Sequence, residues 1–201
     1  MIVAADKILV NVGAGAAGGG LLPAMFSLWR QLRVDIDPRV APDIVADAVD
    51  LSPLQSGVAD AVWTAHCMEH LYEHDVPTAL GEIRRVLKDD GFACIVVPDL
   101  QRIAALIAED RMHEVLYTAP AGPVTPHDVV FGYGPALARG ELPMAHRCGF
   151  TPTAMIRHLN GAGFRGYVLL RRANFELAAV VRKTDWPDPG ERDALLASLG
   201  L

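Results

Sequence analysis

Apolar and polar positions along the 201-residue chain predict strands and helices that follow one another. Short apolar runs are typical of strands, and seven are predicted, at 8–12, 33–36, 44–46, 60–65, 92–97, 164–171 and 175–182. Apolar residues spaced three and four apart predict helices at 22–32, 78–88, 100–107, 152–160 and 191–199. The alternation predicts an α/β fold.

The lengths of the connections indicate how these strands are arranged. Helical crossovers favour parallel neighbours, whereas the last two strands are joined by a short turn and are predicted to be antiparallel. Only about seven residues separate 33–36 from 44–46, which is too few for a crossover helix. The expected architecture is a seven-stranded, mostly parallel sheet with a C-terminal antiparallel hairpin.

Residues 112–150 interrupt this alternation of strands and helices. They are rich in proline and glycine and show no sustained hydrophobic periodicity. The stretch is too long for an ordinary connection, so we predict an insertion or lid on the substrate side. One domain is expected over 1–183, with 184–201 as a tail packed on it.

Composition narrows the class of protein. The chain is 51% hydrophobic with a mean hydropathy of +0.24, as expected of a folded globular domain. Its net charge of −6 argues against nucleic acid as the main partner. The apolar runs fall short of the roughly 18 to 20 residues of a membrane span, and no basic leader opens the chain, so a cytoplasmic location is expected.

A glycine-rich turn, VGAGAAGGG, follows the first predicted strand. Glycines let the backbone approach a ligand closely, and Asp35, at the end of the second strand, can accept hydrogen bonds from ribose hydroxyls. Residues 13–18 also satisfy GxGxxG, so an NAD(P)-binding oxidoreductase is one reading of this turn. Against it, the chain lacks the second nucleotide-binding half that a dinucleotide fold needs.

The stretch from Asp43 to Leu100 carries a set of motifs in a specific order. An aspartate ends the third strand, HCMEHL follows the fourth, and a helix ending RVLK precedes a glycine and the fifth strand. This order and spacing resembles the class I S-adenosylmethionine-dependent methyltransferases, specifically the small type 11 group, and the resemblance extends over 7–183. It implies the Rossmann-like class I methyltransferase fold and S-adenosylmethionine as the cofactor.

The resemblance also implies positions that bind the cofactor. These positions are Asn11, Gly13, Ala14, Gly15, Asp35, Ile36, Asp47, Ala48, Thr64, Ala65 and His66. The first four face the methionine part, Asp35 the ribose, and Asp47 with Ala48 the adenine. Asn11 departs from the family, because an acidic residue is usual there.

Histidines supply the candidate catalytic groups. If the acceptor is a hydroxyl, a base is needed, and the candidates are His66, His127, His146 and Tyr133. We favour His146, with His66 second. His66 to His70 also spells HxxEH, a zinc-protease signature, but the rest of that fold is lacking and no resident metal is expected. Glu69 is expected to be a helix or surface charge.

The sequence therefore predicts methyl transfer from S-adenosylmethionine to a small-molecule or metabolite acceptor, with glycan and lipid precursors among the candidates. The alternatives are the oxidoreductase that uses the GAGAAG turn and a non-catalytic S-adenosylmethionine-binding protein. A small-molecule substrate is expected as the partner, with no nucleic acid and no membrane span.

Overall fold

The computed structural model describes residues 7–17 and 22–201, and its centre is a seven-stranded sheet. The strands are β1 (Ile8–Val12), β2 (Arg30–Asp35), β3 (Ile44–Val45), β4 (Ala59–Ala65), β5 (Leu87–Pro98), β6 (Tyr117–Ala119), β7 (Gly122–Val124), β8 (Gly166–Arg171) and β9 (Glu176–Arg182). The large sheet has the order β3-β2-β1-β4-β5-β9-β8, and β6 and β7 form a separate hairpin. The first five strands of the large sheet are parallel and β9 is antiparallel to both neighbours, so the predicted fold class is confirmed.

Six α-helices are present in the part of the chain that the structure describes. They are α1 (Val76–Val86), α2 (Leu100–Ala108), α3 (Pro126–Phe131), α4 (Gly134–Ala138), α5 (Pro152–Gly161) and α6 (Pro189–Leu199). Asp99 caps α2 by accepting from the Arg102 amide, and Thr151 caps α5 in the same way. No helix among the described residues is long and apolar enough to cross a membrane.

Alternate residues of the central strands feed two separate cores, one on each face of the sheet. On the first face, Val10 and Val62 pack with apolar residues of α1 and α5, such as Ile83 and Leu159. On the second face, Leu9 and Trp63 pack with a group that comes from the ends of the chain. Its members are Phe26, Leu22, Met25, Trp29, Trp186, Leu195, Leu196 and Leu199.

The helix predicted over 22–32 is wrong. The chain forms a single 3-10 turn at Ala24–Phe26, and β2 already begins at Arg30, where it pairs with Ile8. Parallel pairing of β1 and β2 over five residues requires this early start, so the apolar residues at helical spacing are divided between turn and strand. The hydrogen bonds of the sheet thus override a local pattern. Helix α6 covers part of the face that a helix after β1 would have covered.

Other predicted elements differ at their ends. Helix α1 spans Val76–Val86 where 78–88 was expected, because Leu87 already pairs with Ala59 as the start of β5. Between β2 and β3 there is only a 3-10 turn, Pro38–Val40, so the prediction that no crossover helix fits there is confirmed. The stretch 112–150 contains the β6–β7 hairpin, α3 and α4, which its sequence did not reveal.

Candidate active site

The parallel strands end along one edge of the sheet, and the strand order reverses at β1. Strand β1 lies between β2 and β4, with Val12 paired to both Val34 and Thr64. In open α/β sheets the crevice beyond the carboxyl ends, at such a reversal, is where ligands bind. Asp35 ends β2 at this edge, and the glycine turn and His66 directly follow β1 and β4. The candidate site is therefore the crevice between the ends of β1 and β4.

The glycine turn is held by backbone hydrogen bonds to β2. The amides of Gly13 and Ala14 both donate to the Val34 carbonyl, at 2.9 and 3.1 Å, and the Gly15 amide donates to Asp35 Oδ2 at 2.8 Å. Gly13 and Gly15 have φ angles of 69° and 60°, in the left-handed region that favours glycine. The last three glycines of this motif, residues 18–20, lie outside the described residues.

Replacing Gly13 by alanine should destabilise the protein more than replacing Gly15. Both changes cost about 1–2 kcal/mol for the left-handed backbone, but a Cβ at Gly13 would also lie 2.6 Å from Cβ and Sγ of Cys67, whereas nothing lies within 4 Å at Gly15. Urea denaturation of the two variants measures the difference. Cys67→Gly should recover part of the loss in the Gly13→Ala background only; equal losses in the two glycine variants would contradict this packing.

Two acidic side chains lie at the ends of β2 and β3. Asp35 also accepts from the Asp37 amide at 2.9 Å through Oδ1, which fixes the plane of its carboxylate. Asp47 accepts from the Val49 amide at 3.1 Å through Oδ1. Beside them Ile36 is 59% exposed, an unusual position for a large apolar side chain next to a crevice, while Ala48 is buried. Carboxylates and an apolar surface here suit a nucleoside.

The same turn does not suit a dinucleotide. Pyrophosphate is held by free backbone amides and by the N-terminus of the helix after β1. Here the amides of residues 13–15 donate to β2, and residues 22–29 contain one 3-10 turn instead of a helix. The dinucleotide reading of GxGxxG therefore loses both of its physical supports within the described residues.

His66 follows β4 and lies between two carboxylates. Its backbone has a φ of 53°, its Nε2 is 3.0 Å from Glu176 Oε1, and its Nδ1 is 3.4 Å from Glu69 Oε1. Partial burial lowers the pKa of the ring, but the hydrogen bond to Glu176 and the negative charge of the nearby Glu69 outweigh this effect and raise its pKa to about 10. An imidazole in this setting is protonated near neutral pH, so in this arrangement it is a donor, not a base.

Glu69 is a buried acid, so the expectation of a helix or surface charge is wrong. It lies in the 3-10 turn Met68–His70, is 1% exposed, and neither carboxylate oxygen has a hydrogen-bond partner among the described residues. A buried carboxylate without donors is costly, and such groups concentrate at functional sites.

The stretch 112–150 reaches the crevice and is fixed to the turn that carries Glu69. The Arg147 amide donates to the Glu69 carbonyl at 2.8 Å, and the Arg147 side chain donates to the His70 carbonyl at 3.2 Å. His70 Nδ1 in turn lies 3.1 Å from the Ala145 carbonyl. His146 follows directly, with its ring 4.8 Å from that of His70, so the stretch delivers His146 to the end of β4.

The other two candidate bases have structural roles. The Tyr133 hydroxyl donates to the Ala121 carbonyl at 2.7 Å and so supports the β6–β7 turn. His127 packs between His113 and Phe131, at centroid distances of 5.4 and 5.0 Å. Of the candidate bases, the structure brings together only His66 and His146, on either side of Glu69.

Comparisons with known proteins agree with this geometry. The family model described as "Methyltransferase domain" matches residues 10–95, which include most of β1, all of β2 to β4 and most of β5. Residues 10–95 therefore carry a methyltransferase domain, and the fold around them is that of S-adenosylmethionine-dependent methyltransferases. Its cofactor is accordingly S-adenosylmethionine. A search of curated protein sequences gives no significant match.

Solved structures show that the methyltransferase fold covers nearly the whole chain. The PH0226 protein of Pyrococcus horikoshii OT3 has a TM-score of 0.60 at 15% identity, covering 91% of this chain and 84% of that one. A methyltransferase from Archaeoglobus fulgidus has a TM-score of 0.54 at 16% identity, covering 89% and 86%. The 1,6-didemethyltoxoflavin-N1-methyltransferase of Burkholderia thailandensis has 0.53 at 17%, covering 90% and 72%. At these identities the likeness is one of fold.

Two residues at the site of this methyltransferase, Glu69 and Glu176, were not predicted from the sequence. Glu69 had a usable signal, because it is the acid of the HxxEH motif that also contains His66. Glu176 had none, because only the antiparallel pairing of β9 with the end of β5, opposite Pro98, carries it to His66. An acid that begins an antiparallel strand, as Glu176 does, can be assigned to the site only when the partner of that strand is known.

Proposed function

We propose that this methyltransferase transfers a methyl group to a small-molecule acceptor bound between the end of β4 and the stretch 112–150. The observation that carries the proposal is the placement of His146 and Glu69, whose turn is hydrogen-bonded to that stretch. The stretch 112–150 would cover an acceptor bound there. An enclosed position of this kind favours a small molecule over a macromolecular surface.

The crevice fits the chemical groups of the cofactor. S-adenosylmethionine supplies an activated methyl group on a sulfonium and brings no phosphate. Asp35 suits the two ribose hydroxyls, the exposed Ile36 suits one face of the adenine, and Asp47 suits its amino group, with Ala48 beside it. The turn around Gly13 and Gly15, with Asn11 and Ala14, would border the methionine part, and Thr64, Ala65 and His66 would face the methyl end.

On the acceptor side, His146 is the group best prepared to take a proton. Its Nδ1 donates to the Val129 carbonyl at 2.7 Å, so Nε2 carries the free lone pair. Burial lowers the pKa of the ring, which keeps the imidazole neutral. We assign His146 as the proton acceptor for a hydroxyl nucleophile and His66 as a donor that faces the reacting atoms. Alignment of the acceptor with the methyl group supplies much of the remaining rate.

Replacing Asp47 by alanine should weaken binding of S-adenosylhomocysteine by about tenfold, because a charge-assisted hydrogen bond to the adenine amine is lost. Binding of S-inosylhomocysteine, which carries an oxygen in place of that amine, should not weaken. Calorimetry with both ligands on both proteins gives the comparison. Equal weakening of the two ligands would remove Asp47 from the adenine site.

The function itself is tested with S-adenosylmethionine labelled on its methyl group. The protein is incubated with a cell extract separated into a small-molecule and a macromolecular fraction, and transfer is measured in each. Label in the small-molecule fraction, lost in His146→Ala, is the expected result. Label in the macromolecular fraction alone would overturn the proposed acceptor class. Tight binding of S-adenosylhomocysteine with no transfer to either fraction would favour the non-catalytic alternative.

A further inference from the structure

Three potential metal ligands from separate parts of the chain converge beside the crevice. Glu69, His70 and His146 each place one potential ligand atom within 4.8 Å of the others. The first two lie in the 3-10 turn after β4, and the third lies more than seventy residues further along the chain. In the HxxEH signature the two histidines, here His66 and His70, bind the metal from one helix. The 3-10 turn Met68–His70 is too short to form that helix, and His146 lies beside Glu69 and His70 instead.

Both histidines are oriented as metal-binding histidines are. The Nδ1 atoms of His70 and His146 face the carbonyls of Ala145 and Val129, at 3.1 and 2.7 Å. A carbonyl only accepts, so both Nδ1 atoms carry the hydrogen and both Nε2 atoms carry a lone pair. Metal-bound histidines nearly always donate their other ring N–H to a carbonyl or carboxylate, which fixes the ring. Backbone carbonyls therefore hold both neighbouring rings in orientations that leave their Nε2 atoms free to bind a metal.

Glu69 supplies the negative charge. Its side chain is 2% exposed, and its oxygens lack hydrogen-bond partners in the described part of the chain, with His66 Nδ1 nearest at 3.4 Å. A buried carboxylate needs either several donors or a cation to offset its desolvation. The His66 ring meets this need only in part, because Glu176 shares it at 3.0 Å.

We propose that Glu69, His70 and His146 form a binding site for one divalent transition-metal ion, with zinc as the ion that two imidazoles and a carboxylate suit best. Two histidines and one glutamate are a ligand set of catalytic zinc sites, in which a further position stays open for water or substrate. Bonds of about 2.0–2.2 Å bring ligand atoms roughly 3–4 Å apart, so the side chains must close by about 1 Å from their present positions. Side-chain rotation within a short turn and a loop is enough for that.

The site also bears on the proposed methyl transfer. A bound ion would take the Nε2 lone pair of His146. An acceptor hydroxyl bound at the open position would have a lowered pKa and would release its proton to solvent water in place of that histidine. Metal binding itself does not rest on the proposed acceptor, and the tests below need no turnover.

The test is a titration of the chelator-treated, full-length protein with Co²⁺ as a spectroscopic probe, followed by competition with Zn²⁺. We expect one ion per chain and the visible bands of a four- or five-coordinate site, which Zn²⁺ abolishes. Glu69→Gln and His146→Ala should each weaken binding by at least about tenfold to a hundredfold, since losing a ligand costs no less than losing its support. His74→Ala is the matched control, because His74 is a neighbouring histidine with a side chain 79% exposed, and it should bind as the parent does.

A second measurement covers the case in which a variant folds poorly. NMR of the unmodified, ¹⁵N-labelled protein loaded with ¹¹³Cd²⁺ should show scalar coupling from the metal to the Nε2 atoms of His70 and His146. Binding that persists in both Glu69→Gln and His146→Ala would place the ion elsewhere and overturn the proposal. Absence of binding to the unmodified protein at millimolar Co²⁺ and Zn²⁺ would also overturn it and leave Glu69 as a counter-ion of His66.

Discussion

Replacing Asp35 by alanine is expected to weaken binding of S-adenosylhomocysteine by roughly 10- to 100-fold, the largest loss that any single cofactor residue should show. A hydrogen bond to a charged group contributes about 1.5–3 kcal/mol, and each 1.4 kcal/mol is tenfold in affinity. Asp35 has a double role, because its carboxylate also accepts from the amides of Gly15 and Asp37. The variant should therefore lose the ribose contact and also loosen the glycine turn.

An analogue of S-adenosylhomocysteine without ribose hydroxyls separates these two effects. If Asp35 acts mainly on the ribose, the parent and Asp35→Ala should bind the analogue with similar affinity, as in a double-mutant cycle. If the turn dominates, the variant should bind the analogue more weakly as well. Calorimetry of both ligands on both proteins provides the four values.

Asp37→Ala is the matched control for this experiment. The Asp37 carboxylate is held by Arg39, with Nη2 2.7 Å from Oδ2, and it also accepts from the Arg39 amide at 2.9 Å. It is an acid two residues away with its oxygens already engaged, so its loss should change affinity by less than about twofold. A large loss in Asp37→Ala with none in Asp35→Ala would move the ribose site to Asp37.

The sheet was predictable because the signals for its strands lie in short, continuous stretches of the sequence. Each strand is a short apolar run, and connection lengths alone separate the parallel strands from the antiparallel β8 and β9. The positions of Asp35 and Asp47 were equally accessible, since a strand-end acid is defined by the strand that precedes it. Asp35 ends β2 and Asp47 lies two residues beyond β3, at the same edge of the sheet.

The parts that could not be predicted depend on contacts between distant segments. The turn at 24–26 has helical spacing in its sequence, yet the pairing of Arg30 with Ile8 decides its structure. The environment of His66 depends on Glu176, which is 110 residues away. The proximity of His146 to Glu69 depends on how the stretch 112–150 folds back over the sheet. That stretch has no hydrophobic periodicity from which its fold could be predicted.

Phe26→Ala is expected to lower the free energy of unfolding by about 3–5 kcal/mol, the usual cost of removing a buried aromatic ring. Phe26 is 4% exposed and packs against Trp29, Trp63 and Phe92, with ring centroids 5.1, 6.2 and 6.3 Å away. Because the described residues between β1 and β2 form no α-helix, the aromatic cluster and α6 cover this face instead. Urea denaturation followed by tryptophan fluorescence measures the loss directly, since two of the three neighbours are tryptophans.

Leu28 provides both the control and the test of the turn itself. It is 91% exposed, so Leu28→Ala should change stability by less than about 0.5 kcal/mol. In a helix interior, glycine is about 1 kcal/mol worse than alanine, so the helix that the sequence pattern favours would separate Leu28→Gly from Leu28→Ala by that amount. In the structure, Leu28 follows a 3-10 turn that ends at Phe26, and its own amide and carbonyl make no backbone hydrogen bond among the described residues. We expect Leu28→Gly and Leu28→Ala to be equally stable and Phe26→Ala to be much less stable. This result would show that the aromatic cluster packs on the sheet without forming a helix.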